Sequence, residues 1–252
     1  LEITADKLLL AKASCMGINC MIEPQNPFAN KELTTEERIV LRAEREANIE
    51  AEKNGGIPTK HSLIKLRKAY DDAGNDFKAA ETLEQQNEIY PNPEDYNLIG
   101  VYYHNSGNKD KAVEFFERAI EHNPNDYWPN FNLGNTLFYK DPQRARKHLN
   151  KAYELYPSEP CINILLGRLD KNEGKTVEAK EKFQIAYDKY EQRWKANSLS
   201  DTDYDWFASV AEELGKRDKA YEIRRAKPKI EKTSYYDEEN LTQTILKSIT
   251  KI

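Results

Sequence analysis

From residue 57 to residue 228, apolar and small residues recur at three- and four-residue spacing, in paired segments separated by short polar turns. That spacing predicts amphipathic helices arranged in pairs. In the clearest unit Tyr96, Ile99, Gly100 and Tyr103 keep the helical spacing, Gly107 interrupts it, and Ala112, Phe116 and Ala119 resume it. The unit therefore reads as helix, turn, helix. Gly100, Ala112 and Ala119 are small where two helix backbones must approach closely, and the aromatic side chains fill the space left between them.

The pairs repeat. Gly74 and Gly107 are 33 residues apart, Gly100 and Gly134 are 34 apart, and Gly134 and Gly167 are again 33 apart. Pro91, Pro124 and Pro157 also stand at intervals of 33, each just after a helical pattern that proline would stop. A fixed period of this size predicts a solenoid of stacked supersecondary units. A generic helical bundle would have no reason for such a glycine ladder.

The pattern of aromatic, Leu-Gly, Tyr, Ala, Phe, Ala and Pro resembles the tetratricopeptide repeat. Its neighbours depart from the pattern in places. The first unit carries Leu63, Leu66, Tyr70, Gly74, Ala79, Leu83 and Pro91, with Arg67 where a small residue usually sits. The third carries Leu133, Gly134, Leu137, Ala145, Leu149, Ala152 and Pro157, with Lys140-Asp141-Pro142 in place of the turn glycine. The fourth carries Leu166, Gly167, Gly174, Ala179, Phe183 and Ala186 but lacks its terminal proline, so its second helix is expected to run on through Tyr190 and Trp194. A fifth follows at Tyr204, Phe207, Ala208, Ala211, Gly215 and Ala220. The resemblance implies an all-α fold, a right-handed superhelix of about five helix-turn-helix repeats. Leu241, Ile245, Leu246 and Ile249 stand at helical spacing in the tail, which is expected to cap the last repeat.

The first fifty-six residues differ. LEITA and INCMIE alternate as strands do, and the Ser-, Cys- and Gly-containing connection between them would close a hairpin. Pro24 to Asn30 reads as a linker. From Thr34 a threonine cap, acidic residues in the first turn and abundant Ala, Glu and Arg predict a solvated helix that Gly55-Gly56 ends. The expected organisation is a strand segment and linker over 1–30, a charged helix over 31–56, repeats over 57–228 and a tail over 229–252. Leu1 to Ala5, Leu33-Thr34-Thr35-Glu36-Glu37 and Arg42-Ala43-Glu44-Arg45-Glu46-Ala47-Asn48 together resemble the junction between the β-sandwich and helical lid of a DnaK-type heat-shock chaperone. On that resemblance the chain is part of a larger chaperone whose ATPase domain lies outside it. The start at Leu1 likewise reads as that of an excised fragment.

Charge and composition narrow the function. Thirty-eight basic and 43 acidic residues leave a net charge of −5, which disfavours a broad phosphate-binding surface and so nucleic acid. Mean hydropathy is −0.88, yet 10% aromatic residues supply the bulky groups that a disordered chain lacks. No apolar run approaches the roughly twenty residues a membrane helix needs. Three cysteines, Cys15, Cys20 and Cys161, are too few for a secreted disulfide scaffold, so a cytoplasmic protein is expected. Cys15 and Cys20 offer two zinc ligands at most, with no His or further Cys nearby to complete four. No metal, cofactor or phosphate loop is expected.

Catalysis finds little support either. His61, His104, His122 and His148 fall at differing repeat phases and would not converge. In tetratricopeptide arrays the first helix of each repeat lines a concave, peptide-binding face. Here that face would collect Asn97 and Val101 in the second unit, Trp128, Phe131, Asn132 and Asn135 in the third, and Arg168 in the fourth. The amides would hydrogen-bond an extended backbone, while Trp128 and Phe131 hold apolar side chains. Phe138 and Tyr139 are expected to pack against neighbouring repeats instead. The clamp of two Lys, two Asn and one Arg that holds acidic chaperone tails is absent, because Val101, Cys161 and Leu165, or Ile64, Leu98 and Trp128 in another register, occupy its positions. The expected partner is a protein or extended peptide, either an unfolded client or a co-chaperone. The alternative is a scaffold that organises a multiprotein complex and has no link to chaperones.

Overall fold

The computed structural model describes residues 33–228 and, upstream of them, the backbone of three short strands. The expected capping helix in the tail lies outside the described residues. The strands are β1 (Glu2–Ile3), β2 (Leu9–Cys15) and β3 (Ile18–Ile22), antiparallel in the order β1-β2-β3. Ala11 stands opposite Ile22 and Cys15 opposite Ile18. The stretch expected to connect two strands is thus itself the central one. Lys12 and Ser14 alternate with Ala11, Ala13 and Cys15 along it, but so short an alternation does not by itself separate a strand from a connection, and pairing on both sides identifies it.

Eleven α-helices follow among the described residues. They are α1 (Thr35–Lys53), α2 (Lys60–Asp72), α3 (Asp76–Ile89), α4 (Tyr96–Asn105), α5 (Lys109–His122), α6 (Tyr127–Leu137), α7 (Pro142–Leu155), α8 (Pro160–Asn172), α9 (Thr176–Lys195), α10 (Asp201–Glu213) and α11 (Arg217–Ala226). The fold is all-α, built of tetratricopeptide-type helix pairs. The chain divides into two compact units, residues 1–108 and 109–252.

In the first unit α1 packs on α2, α2 on α3 and α3 on α4. A capping box starts α1: the Thr34 hydroxyl accepts the Glu37 N–H at 3.2 Å, and the Glu37 carboxylate accepts the Thr34 N–H at 2.8 Å. At the other end the Gly56 N–H reaches back to the Ala51 carbonyl at 2.7 Å, with Gly55 and Gly56 both at positive φ. Although highly charged, α1 is docked rather than free. Ala47 is buried, the Tyr70 hydroxyl on α2 donates to Glu44, and the Thr59 hydroxyl donates to Glu50 at 2.7 Å. Arg67, the departure from the small-residue position, sends its guanidinium across to the Tyr102 hydroxyl on α4 at 3.0 Å.

In the second unit each helix from α5 to α11 packs on the next. A Cβ placed on Gly134 would lie 2.6 Å from Leu149 Cγ, and one on Gly167 would lie 2.8 Å from Phe183 Cε1. Close approach of paired backbones therefore explains both glycines. Where the third repeat lacks a turn glycine, the Asp141 carboxylate accepts the Arg144 N–H at 3.0 Å and Pro142 opens α7. As expected, α9 runs on through Tyr190 and Trp194, and both rings pack against Phe207 of α10. Its extra turns also carry Arg193, which pairs with Glu159 ahead of α8 at 3.1 Å and with Asp203 on α10 at 3.4 Å.

Candidate peptide-binding face

The sequence-derived candidates fall in both units. Asn97 and half-buried Val101 lie on α4 of the first, and Asn97 is already engaged by another group of the protein. The other five lie in the second unit, four on α6 and Arg168 on α8.

The start of α6 is rigidly set. The Asp126 carboxylate accepts the Trp128 N–H at 3.0 Å, the Asn130 amide donates to the Asp126 carbonyl at 3.2 Å, and His148 of α7 meets the Asn130 side-chain oxygen at 3.2 Å. Burial, and then the neighbouring cations Lys147 and Arg144, hold the His148 imidazole below its usual pKa. From this anchor an aromatic series extends. Tyr156 and Tyr127 have ring centroids 4.8 Å apart, Tyr127 and Trp128 are 4.6 Å apart, and Trp128 meets Phe131 edge-on at 6.1 Å. Trp128 and Tyr156 remain 46% and 42% exposed. Two large aromatic surfaces thus stay open to solvent while their neighbours hold their orientation, so little rotamer freedom remains to be lost on binding. Burial, reinforced by Glu159, pushes the Tyr127 phenol upward, so it stays neutral.

Phe131 differs from the expectation that its ring faces a ligand. It is only 5% exposed and packs edge-on against Trp206 of α10 at 6.2 Å. Helix α10 of the fifth repeat therefore reaches α6 of the third. Asn135 is half-buried on the same side of α6 as Trp128, seven residues and about two turns along. Asn132 is half-buried as well but already engaged within the protein. Phe138 packs edge-on to Tyr139 at 4.9 Å and is buried, whereas Tyr139 is 87% exposed. The expectation of packing thus fits Phe138 and not Tyr139.

Arg168 is also not open as expected. Its Nε donates to Glu213 Oε1 at 3.0 Å, and its Nη2 donates to the Ser209 hydroxyl. Lys171 donates to the other oxygen of Glu213 at 2.9 Å. Burial alone would raise the Glu213 carboxyl, but hydrogen bonds from Lys171 and Arg168 outweigh it and hold the group below its usual value. Trp206, Ser209 and Glu213 belong to the fifth repeat, one repeat beyond those in which the sequence places its candidates. The signal was available: Ala208 stands in the fifth repeat where Gly167 stands in the fourth, so Ser209 follows it as Arg168 follows Gly167.

Among the described residues no three or more His, Cys, Asp or Glu side chains are grouped to hold a metal ion. Burial, followed by the nearby Glu159, pushes the Cys161 thiol well up, which suits a packing residue rather than a nucleophile. Among those residues, too, no helix is long and apolar enough to cross a membrane.

This geometry is that of a helical-repeat protein. Residues 93–126 match the tetratricopeptide repeat family model. Among solved structures, a crystal structure of MamA is similar at 20% identity and a TM-score of 0.52, over 66% of this chain and 99% of that one. MamA from Desulfovibrio magneticus RS-1, from residue 41 to its end, is similar at 17% identity and a TM-score of 0.48, over 66% and 91% of the two chains. The MamA crystal structure with the higher TM-score supports the tetratricopeptide fold and nothing finer.

Proposed function

We propose that this chain is a protein-interaction scaffold that receives an extended peptide segment along the exposed side of α6. One observation carries the reading: Trp128 is nearly half exposed, yet Tyr127 and Phe131 hold its ring in place. An oriented, solvent-facing tryptophan two turns before half-buried Asn135 on the same side of α6 offers an apolar anchor with a backbone hydrogen-bonding group further along the helix. The helical-repeat fold supports the same reading, since stacked repeats present side chains from successive helices to one ligand.

A scaffold that stands apart from chaperones fits better than a DnaK-type one. Paired strands within residues 1–23 favour the chaperone reading, although LEITA and INCMIE do not pair with each other as that reading expected and each pairs with β2 instead. The docking of α1 on α2 weighs the other way, because it makes the acidic helix the outer layer of the repeat stack instead of the start of a lid. The test is binding to an array of extended peptides of varied sequence, comparing the parent chain with Trp128→Ala and Asn135→Ala. At least tenfold loss with Trp128→Ala and a smaller loss with Asn135→Ala are expected. Equal binding by all three proteins would overturn the assignment.

A further inference from the structure

We infer that Arg168 and Lys171 form a carboxylate-binding site on the inner side of α8, occupied in this structure by the chain's own Glu213, and that an acidic peptide segment of a partner takes Glu213's place. The geometry is that of a receptor for one carboxylate. Each oxygen of Glu213 meets a different cation, Oε1 with Arg168 Nε at 3.0 Å and Oε2 with Lys171 Nζ at 2.9 Å. The two cations lie three residues apart on α8, so they project from one face of the helix toward a common point. Ser209 of α10 adds a hydroxyl contact to Arg168 that fixes the plane of the guanidinium. An incoming carboxylate would find both donors already oriented.

The site can be reached from solvent. The Lys171 side chain is more than half exposed, and that of Arg168 is partly so. Exchanging one carboxylate for another leaves both cations paired, so the cost of the exchange falls on the released Glu213 carboxylate, which must be rehydrated. The covering side chain comes from α10, which with α11 forms the last helix pair among the described residues. Trp206 of the same α10 covers Phe131, so release of this contact would loosen the cover over the third repeat as well.

This inference rests on the interaction reading only for the idea that inner side chains meet a partner, and its test is separate. A fluorescein-labelled hexaglutamate peptide contains no apolar side chain for Trp128, so failure of the aromatic anchor leaves this experiment readable. Fluorescence anisotropy would compare the parent chain, Glu213→Ala, and Glu213→Ala combined with Arg168→Ala, with labelled hexaglutamine as the uncharged control. Glu213→Ala is expected to bind hexaglutamate at least tenfold more tightly than the parent. The added Arg168→Ala should remove that gain, and hexaglutamine should bind none of the three. If Glu213→Ala does not fold, as judged by its helical circular dichroism, Glu213→Gln takes its place, since it keeps the volume and loses the charge. No gain in a folded Glu213 variant, or a gain that survives Arg168→Ala, would overturn the proposal.

Discussion

Gly134 shows how little room the repeat leaves at its closest approach. A Cβ there would sit 2.6 Å from the Leu149 branch carbon and 3.1 Å from the Ala145 carbonyl oxygen. Neither neighbour can move aside easily, because Leu149 is fully buried and the carbonyl belongs to α7's own backbone. Alanine would gain roughly 1 kcal/mol of helix propensity over glycine, whereas overpacking a tight core costs about 1–3 kcal/mol. Gly134→Ala is therefore expected to destabilise by up to about 2 kcal/mol in urea denaturation. Pairing it with Leu149→Ala should cost less than the two single changes added together. Small residues at these positions were legible in the sequence, since only a close contact explains glycine inside a helix at a fixed period. The roles of Phe131 and Arg168 were not legible, because both depend on side chains that α10 supplies from roughly forty to eighty residues further along.

Asp170 acts between elements. It lies on α8 and is almost wholly buried, yet it pairs with Arg146 of α7 at 2.7 Å and Lys182 of α9 at 2.5 Å. Burial would raise its carboxyl, but hydrogen bonds from Lys182 and Arg146 win, and the folded group titrates below the ordinary aspartate value. Its contribution to stability is therefore fully present above the unfolded aspartate value, about 3.9, and is lost as pH falls through the lower folded value. Breaking a buried pair costs about 3–5 kcal/mol. Here both cations keep some access to water, so Asp170→Asn is expected to cost about 1–3 kcal/mol at pH 7. The difference from the parent should shrink below pH 4, which urea titrations at a series of pH values would measure. In the sequence Asp170 looks like one more solvated acid on a charged helix. Only the stacking of three helices around it makes it a junction.

At the scale of the whole molecule, a stack in which each helix contacts mainly its neighbours need not unfold all at once. Trp128, Trp194 and Trp206 are the chain's three tryptophans, and all belong to the unit from residue 109 onward. Tryptophan fluorescence therefore reports that unit, while circular dichroism at 222 nm reports helices in both. The two urea midpoints are expected to differ; coincident curves would mean that the chain unfolds as one cooperative body. The sequence by itself determined the all-α class, the helix pairs, their period and the glycines at close approach, because each is written in local spacing and residue size. Tertiary structure alone decided that β2 is the central strand, that α1 docks on α2, and that Trp206 and Glu213 cover the inner residues of earlier repeats. Those outcomes depend on which distant surfaces meet, and local periodicity carries no record of that.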